Sequence, residues 1–409
     1  MRKFKFTLLL SLGLCACSHP EIELVDFTSS TFEVISVQKS SVFDRSGNLN
    51  PEVKIMEDPN IDIPDTKVAR TDISTMFRDL LGVMHHKDLI HIAGIYEGHD
   101  VDMSELKLSG KLIIPAEGKI KNMILVSHYT IGANYECPSE TFPLEALLAD
   151  KGYALVIPDY IGFGITADRV HPYMHSESTA RSVVDMAIAV RDYLAHIGRS
   201  PEDNRVILFG YSQGGATTLA VMDLLQDDYA AKFPIKRVYA GGGPYDLAAT
   251  YDSAMEDGVT GIPCAIPMIV QGVNAGEHLN LDLSAFFKPF LLENYSDWIN
   301  SKAYTVHEIN TMIQSNNLRE IMTEEGCDKT NHETAILYQA LLANSVLNFT
   351  PHAPIYLFHS RDDQTVPFIN ALRAEEHFKN NNIHLDFGNY GSHPMGCVRF
   401  ILTVYKDLP

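Results

Sequence analysis

An α/β architecture, a mostly parallel sheet with helices on both faces, is predicted by three features of this sequence. From His91 onward, short apolar runs alternate with helical stretches, as they do when helices cover a parallel sheet. The runs 122–127, 154–158 and 206–209 are rich in aliphatic residues with few polar interruptions, which suits strands buried on both faces. The last of these runs stops at Gly210-Tyr211-Ser212-Gln213-Gly214-Gly215, a strand turning sharply into a helix with a serine at the apex.

Taken in order, Ile92 to Tyr96 and Leu106 to Pro115 read as leading strands joined by a polar turn around Gly98-His99-Asp100. Asn122 to Ser127 and Ala154 to Pro158 follow as buried parallel strands. Between them Phe142 to Asp150 reads as helical and ends at Lys151-Gly152, a C-terminal stop. Val183, Ala187, Val190, Leu194 and Ile197 recur at spacings of four and three, the face of a helix packed on a sheet. The strand to Ser212 comes next, then a helix through Ala216 to Leu225 and a strand from Lys236 to Gly241. The alternation then breaks for about a hundred residues before Pro354-Ile355-Tyr356-Leu357-Phe358 resumes it, too long for a structureless loop. Residues 248–350 read as a mainly helical cap inserted across the active end of the sheet, with Ile336-Leu337, Ala340-Leu341 and Val346-Leu347 as a stripe. Within it, Ile262 to Val270 and Phe286-Phe287 with Phe290-Leu291-Leu292 either line an acyl pocket or form the cap's own core. The domain plan is therefore a signal over 1–16, a tether or leading segment over 17–61, core over 62–247, cap over 248–350 and core again over 351–409.

The chain has 409 residues, 45% of them hydrophobic, enough to bury a large core. Its formal charge of −20 becomes about −23 once Arg2, Lys3 and Lys5 are removed, so nucleic acid and anionic lipid surfaces are unsuitable partners. Those three basic residues precede the apolar stretch Phe6 to Leu14 and then Leu14-Cys15-Ala16-Cys17. A stretch this short is a secretory signal, since a membrane span needs about twenty residues. Its ending resembles a bacterial lipoprotein box with Cys17, in preference to Cys15, as lipid acceptor, which implies a lipid-anchored protein of the bacterial cell envelope, in the periplasm or on the outer surface; plain secretion is the alternative. Cys137, Cys264, Cys327 and Cys397 are then free to pair in any of three ways. No metal site is expected: His85-His86, His91, His171 and His175 lack the H-E-x-x-H frame and suitably spaced acids. No phosphate loop is expected at Gly241 to Gly243 either.

The glycines flanking Ser212 belong to a nucleophile elbow, where a side chain at either glycine would collide with neighbouring backbone. A serine hydroxyl needs an imidazole to take its proton and a carboxylate to hold that imidazole. Both follow in the order acid then histidine. The strand to Phe358 runs into His359-Ser360-Arg361-Asp362-Asp363-Gln364-Thr365-Val366-Pro367, and Ile383 to Phe387 runs into Gly388-Asn389-Tyr390-Gly391-Ser392-His393-Pro394. His393, in a loop ahead of a closing helix from Gly396 to about Tyr405, is the expected base. Asp363 is preferred to Asp362 as the acid for its D-x-x-V-P spacing. The oxyanion hole is assigned to the N–H of Gln213 at a helix start and to Thr130, in the loop His128-Tyr129-Thr130-Ile131-Gly132. His128 reads as a strand-end residue and Asp159 as a carboxylate binding backbone N–H groups.

With these motifs in hand, the sequence resembles the α/β-hydrolases, and within them the secretory lipases similar to fungal lipase A and its bacterial relatives. The resemblance covers about residue 90 to the end. It rests on Pro138-Ser139, Pro158-Asp159-Tyr160 with Gly162 and Gly164, the elbow around Ser212, Gly242-Gly243-Pro244-Tyr245-Asp246-Leu247 and the long helical insertion. It implies a cofactor-free serine esterase or lipase acting on a small-molecule or lipid ester through an acyl-enzyme, with Ser212, Asp363 and His393 as its triad. Esterases that remove acetyl or aromatic acyl groups from polysaccharides, and serine peptidases, are the alternatives. The chain departs from the family pattern at Ser127-His128-Tyr129-Thr130, where His-Gly is more usual.

Overall fold

A computed structural model describes residues 31–44, 46, 48–56, 75 and 87–409. The signal segment, Cys17 and the pair His85-His86 lie outside the described residues.

Eleven strands are formed: β1 Phe32–Ser40, β2 Val53–Lys54, β3 Leu89–His99, β4 Glu105–Pro115, β5 Met123–Ser127, β6 Phe142–Pro143, β7 Ala154–Pro158, β8 Val206–Tyr211, β9 Ile235–Gly241, β10 Ile355–Ser360 and β11 Ile383–Gly388, as counted among the described residues. All but β2 and β6 join one sheet in the order β1-β3-β4-β7-β5-β8-β9-β10-β11. Pairing is antiparallel from β1 to β7 and parallel from β7 to β11. The central strands β5, β7 and β8 are buried at every residue. Their side chains alternate between two cores, with Leu125 and Leu208 in one and Ile124, Val126, Ile207 and Phe209 in the other, as the two-residue period of a strand requires.

The helices are α1 Leu147–Asp150, α2 Ser176–His196, α3 Gln213–Asp228, α4 Leu247–Asp257, α5 Ala265–Gly276, α6 Pro289–Tyr295, α7 Val306–Ile313, α8 Leu318–Ile321, α9 His332–Ala343, α10 Ile369–Phe378 and α11 His393–Asp407. Helix α2 buries Val183, Ala187, Val190 and Leu194 against the first core, while α11 buries Val398, Ile401 and Tyr405 in the second. Helices α4 to α9 form a layer with its own apolar core, which includes Phe286, Phe287 and Leu291.

Within the tether or leading segment lies β1, whose Phe32 is buried and packs on Tyr193 at 5.3 Å between ring centroids. Three sequence expectations change. Residues 142–150 are a two-residue strand, a 3₁₀ turn and only then α1. The stripe of α9 ends at Leu341, and Val346 and Leu347, past the helix end, pack into the sheet's core instead. The closing helix begins at His393 itself, because Pro394 fits the first turn, where its missing N–H costs nothing.

Candidate active site

Ser212 sits where β8 becomes α3, with φ +60° and ψ −127°. A side-chain-bearing residue in that region is strained, and the surrounding structure must hold it there. Its N–H donates to Gly241 O (2.9 Å) and its carbonyl accepts from Gly215 N (2.8 Å). The turn closes only because a Cβ on Gly214 would stand 1.9 Å from Ser127 O, and one on Gly210 would stand 2.2 Å from Gly214 O. The sharp turn thus brings the end of β5 and the start of the 128–132 loop against the first turn of α3.

The acid and base loops meet beside it. His393 Nδ1 donates to Asp363 Oδ2 at 2.5 Å, and the other carboxylate oxygen accepts from the N–H groups of Thr365 (2.8 Å) and Val366 (2.9 Å). Burial alone would raise the Asp363 carboxyl. The charge and hydrogen bond of His393, with the nearby His359 and the Val366 N–H, outweigh it and hold the carboxyl below its ordinary value. Asp362 turns the other way and accepts from Asn389 Nδ2 at 2.7 Å. The imidazole's far nitrogen, Nε2, is buried without a hydrogen-bond partner, so no bond to Ser212 Oγ is closed in this rotamer. Such bonds are often long before substrate binds.

Ser212, Gln213, Thr130 and Asp363 line one cavity of about 720 Å³, within the range of small-molecule sites. Gln213 is the first residue of α3, so its N–H is among the first-turn donors that have no acceptor within the helix. Its side-chain Nε2 is 3.1 Å from His171 Nε2, and His171 Nδ1 donates to Ile161 O at 2.7 Å. Burial pushes His171 down to about 3, leaving a neutral ring that accepts from Gln213. Thr130 Oγ1 and the Tyr173 hydroxyl are 2.7 Å apart. Asp159 is buried and accepts from Ser139 N (2.8 Å) and Ser109 Oγ (2.6 Å). His128 stacks on Tyr160 at 4.1 Å, its Nδ1 2.7 Å from Tyr129 O.

The two apolar patches of the helical layer divide. Ile262, Ile266, Ile269 and Val270 line the cavity, whereas Phe286, Phe287 and Leu291 are buried in the layer's interior. Cys137, Cys264, Cys327 and Cys397 are all free thiols. Burial pushes Cys137 up to about 12, so it stays protonated. Among the described residues no group of three or more His, Cys, Asp or Glu is placed to hold a metal. His175 bonds instead to Ser178 Oγ at 2.8 Å.

The sequence model of the secretory lipase family matches residues 133–393, well over half of the chain. The chain belongs to the secretory lipase family. It is 24% identical over 255 residues to secreted triacylglycerol lipase LIP5 of Malassezia furfur, covering 60% of this chain and 62% of that one. Against secreted triacylglycerol lipase LIP3 of Malassezia restricta it is 24% identical over 319 residues, covering 70% and 62%. This secretory lipase family member therefore spans less than two thirds of these relatives' length. Among solved structures, the rice cell wall degrading esterase LipA from Xanthomonas oryzae superposes with a TM-score of 0.69 at 20% identity, over 92% of this chain and 96% of that one. Candida antarctica lipase A gives 0.57 at 17% identity, over 88% and 77%. The fold is the α/β-hydrolase fold.

Within this family member, three residues that the motifs did not single out hold the site together. The Tyr211 hydroxyl donates to His393 O (2.9 Å), and its ring lies 4.9 Å from the imidazole. Ser360 Oγ donates to Gly391 O (2.8 Å) and accepts from Tyr390 N (3.1 Å), tying the acid loop to the base loop. His359 Nε2 donates to Val366 O at 3.1 Å, behind the acid. Tyr211 stands next to the serine in the elbow and Ser360 three residues before Asp363, so proximity to the motifs was the available signal.

Proposed function

We propose that this chain hydrolyses carboxylic esters as a serine esterase or lipase. Ser212 is the nucleophile, His393 the general base and Asp363 the group that orients it. The observation carrying this reading is His393, fixed by Asp363 through Nδ1 while its Nε2 remains unpartnered, its ring 4.9 Å from that of Tyr211, the residue before a serine held in a strained elbow. Ser212 Oγ attacks the ester carbonyl as His393 Nε2 takes its proton. The oxyanion is met by Gln213 N–H and Thr130, and the proton passes to the departing alcohol. Water, deprotonated by the same imidazole, then releases the acid from the acyl-enzyme.

Residues 248–350 act as the cap. Its Ile262 to Val270 stretch offers an apolar wall for an acyl chain, which favours a lipid ester, the substrate named in the Malassezia relatives. A second reading, a carbohydrate acyl esterase, is favoured by the polar wall of Ser253, Asp257, Thr260, Asn316 and Gln364 and by the name of the Xanthomonas neighbour. Rates on p-nitrophenyl esters of rising chain length separate the two: a maximum beyond about eight carbons is expected for the lipase, and acetate-only turnover would defeat it. Ser212→Ala should lose all but a trace of turnover and all labelling by a fluorophosphonate. Normal activity in that variant would end the serine hydrolase reading. Export and lipidation at Cys17 anchor the enzyme in the cell envelope. Cys17→Ala should then release it from the membrane fraction, and full retention there would remove the anchor from the account.

A further inference from the structure

The pair Thr130 and Tyr173 carries a consequence for the oxyanion hole, one that rests on Ser212 being the nucleophile. The two hydroxyls are 2.7 Å apart, both side chains line the cavity with Ser212 and Gln213, and neither hydroxyl makes a second hydrogen bond among the described residues. Two hydroxyls carry two protons and their mutual bond uses one, so one proton is left for a third group. The phenol is the stronger acid and the better donor, which directs the shared proton from Tyr173 to Thr130 Oγ1 and frees the threonine's own proton.

Tyr173 is fixed from the opposite side. Its ring is buried, its N–H donates to His171 O at 2.7 Å, and α5 lies so close that a Cβ on Gly272 would stand 2.2 Å from Tyr173 N. The same short segment holds both oxyanion donors, since His171 receives the Gln213 side chain. We infer that Thr130 stabilises the tetrahedral intermediate through its side-chain O–H as well as its backbone. Tyr173 is the positioning residue that orients this hydroxyl and, by donating to it, strengthens its own donation. This supplies a side-chain donor at the loop where the more usual His-Gly is replaced.

The test compares Thr130→Val, Thr130→Ser, Tyr173→Phe and the double variant Thr130→Val/Tyr173→Phe in the full-length protein, with a p-nitrophenyl ester as substrate. Thr130→Val should lower kcat about 10- to 100-fold at nearly constant KM, somewhat less than the loss of a whole oxyanion donor. Thr130→Ser, which keeps the hydroxyl, should stay within about threefold of the parent, and Tyr173→Phe should fall in between. The double variant should be no slower than Thr130→Val, because Tyr173 acts through Thr130. Affinity for a trifluoromethyl ketone, which forms the tetrahedral adduct, should fall in step with kcat/KM, while affinity for the carboxylate product stays unchanged. A purely structural role would not produce that split. If Thr130→Val does not fold, Tyr173→Phe, which removes a single oxygen, carries the test. A kcat within twofold of the parent in Thr130→Val or in Tyr173→Phe, or fully additive losses in the double variant, would overturn the inference. An active Ser212→Ala would instead overturn the reading beneath it, and so the two failures are distinguishable.

Discussion

Adjacent carboxylates with unlike partners show how far a single position decides chemistry. Asp363 gives one oxygen to the imidazole and the other to two backbone N–H groups, while Asp362 holds Asn389 and leaves His393 alone. The D-x-x-V-P spacing has a physical counterpart, since Val366 supplies one of those N–H groups. What the spacing could not reveal is the opposite side of the imidazole, where Tyr211 fixes the His393 backbone across 182 positions of sequence. Replacement of Asp363 by Asn should leave the fold intact but favour the wrong tautomer of His393, lowering kcat by about three to four orders of magnitude. Asp362→Asn should stay within about tenfold and lower Tm slightly, through the loss of one hydrogen bond to a charged group. Steady-state rates with thermal melts check both, and equal losses in the two variants would contradict the assignment of roles.

At the scale of elements, legibility followed burial. Strands β5, β7 and β8 are apolar at almost every position because both faces are covered, so their sequence announces them. Strand β1 does the reverse. Its exposed positions include Ile35 as well as polar residues, and its register with β3 shifts between Val34 and Ser36, a bulge that breaks the two-residue alternation by which a strand is recognised. Its sequence Phe32-Glu33-Val34-Ile35-Ser36-Val37 therefore does not announce a strand. The helical layer was recognisable as helix, yet its apolar residues do not declare which of them face inward. Ile266 faces the cavity and Phe286 the layer's own core, a division set by how α5 packs on the 171–175 segment. Gly272 and Gly276 make that approach possible, against Tyr173 and the His175 ring. Glycines inside a helix are a weak sequence signal, and only the packing shows that these two join the layer to the 171–175 segment.

For the molecule as a whole, acid stability depends on buried neutral histidines, two of which, His128 and His171, stand at the site. Burial, helped by the nearby Lys111, pushes His91 down to about 3. Burial alone sets the main shift of His128, to about 4, and of His171, to about 3. Each would bind a proton in the unfolded chain near 6.5 but resists one when folded, so below 6.5 the unfolded state binds more protons and stability falls with pH. The loss continues down to the folded values, at about 1.4 kcal/mol per pH unit for each histidine. Glu145 opposes them. Burial raises it to about 7, so its contribution is complete below its unfolded value and lost as pH rises through 7. Among these four groups, three histidines against one glutamate leave the unfolded state with the net excess of protons between about 4.5 and 6.5. Urea midpoints should therefore fall steadily as the buffer is taken from pH 6.5 to 4.5. Activity should decline with them, because His171 holds Gln213 and His128 opens the loop that carries Thr130. A midpoint that is constant or rises across that interval would show that these histidines are not buried as neutral rings. A midpoint that falls while kcat holds would separate the fold's titration from that of the site.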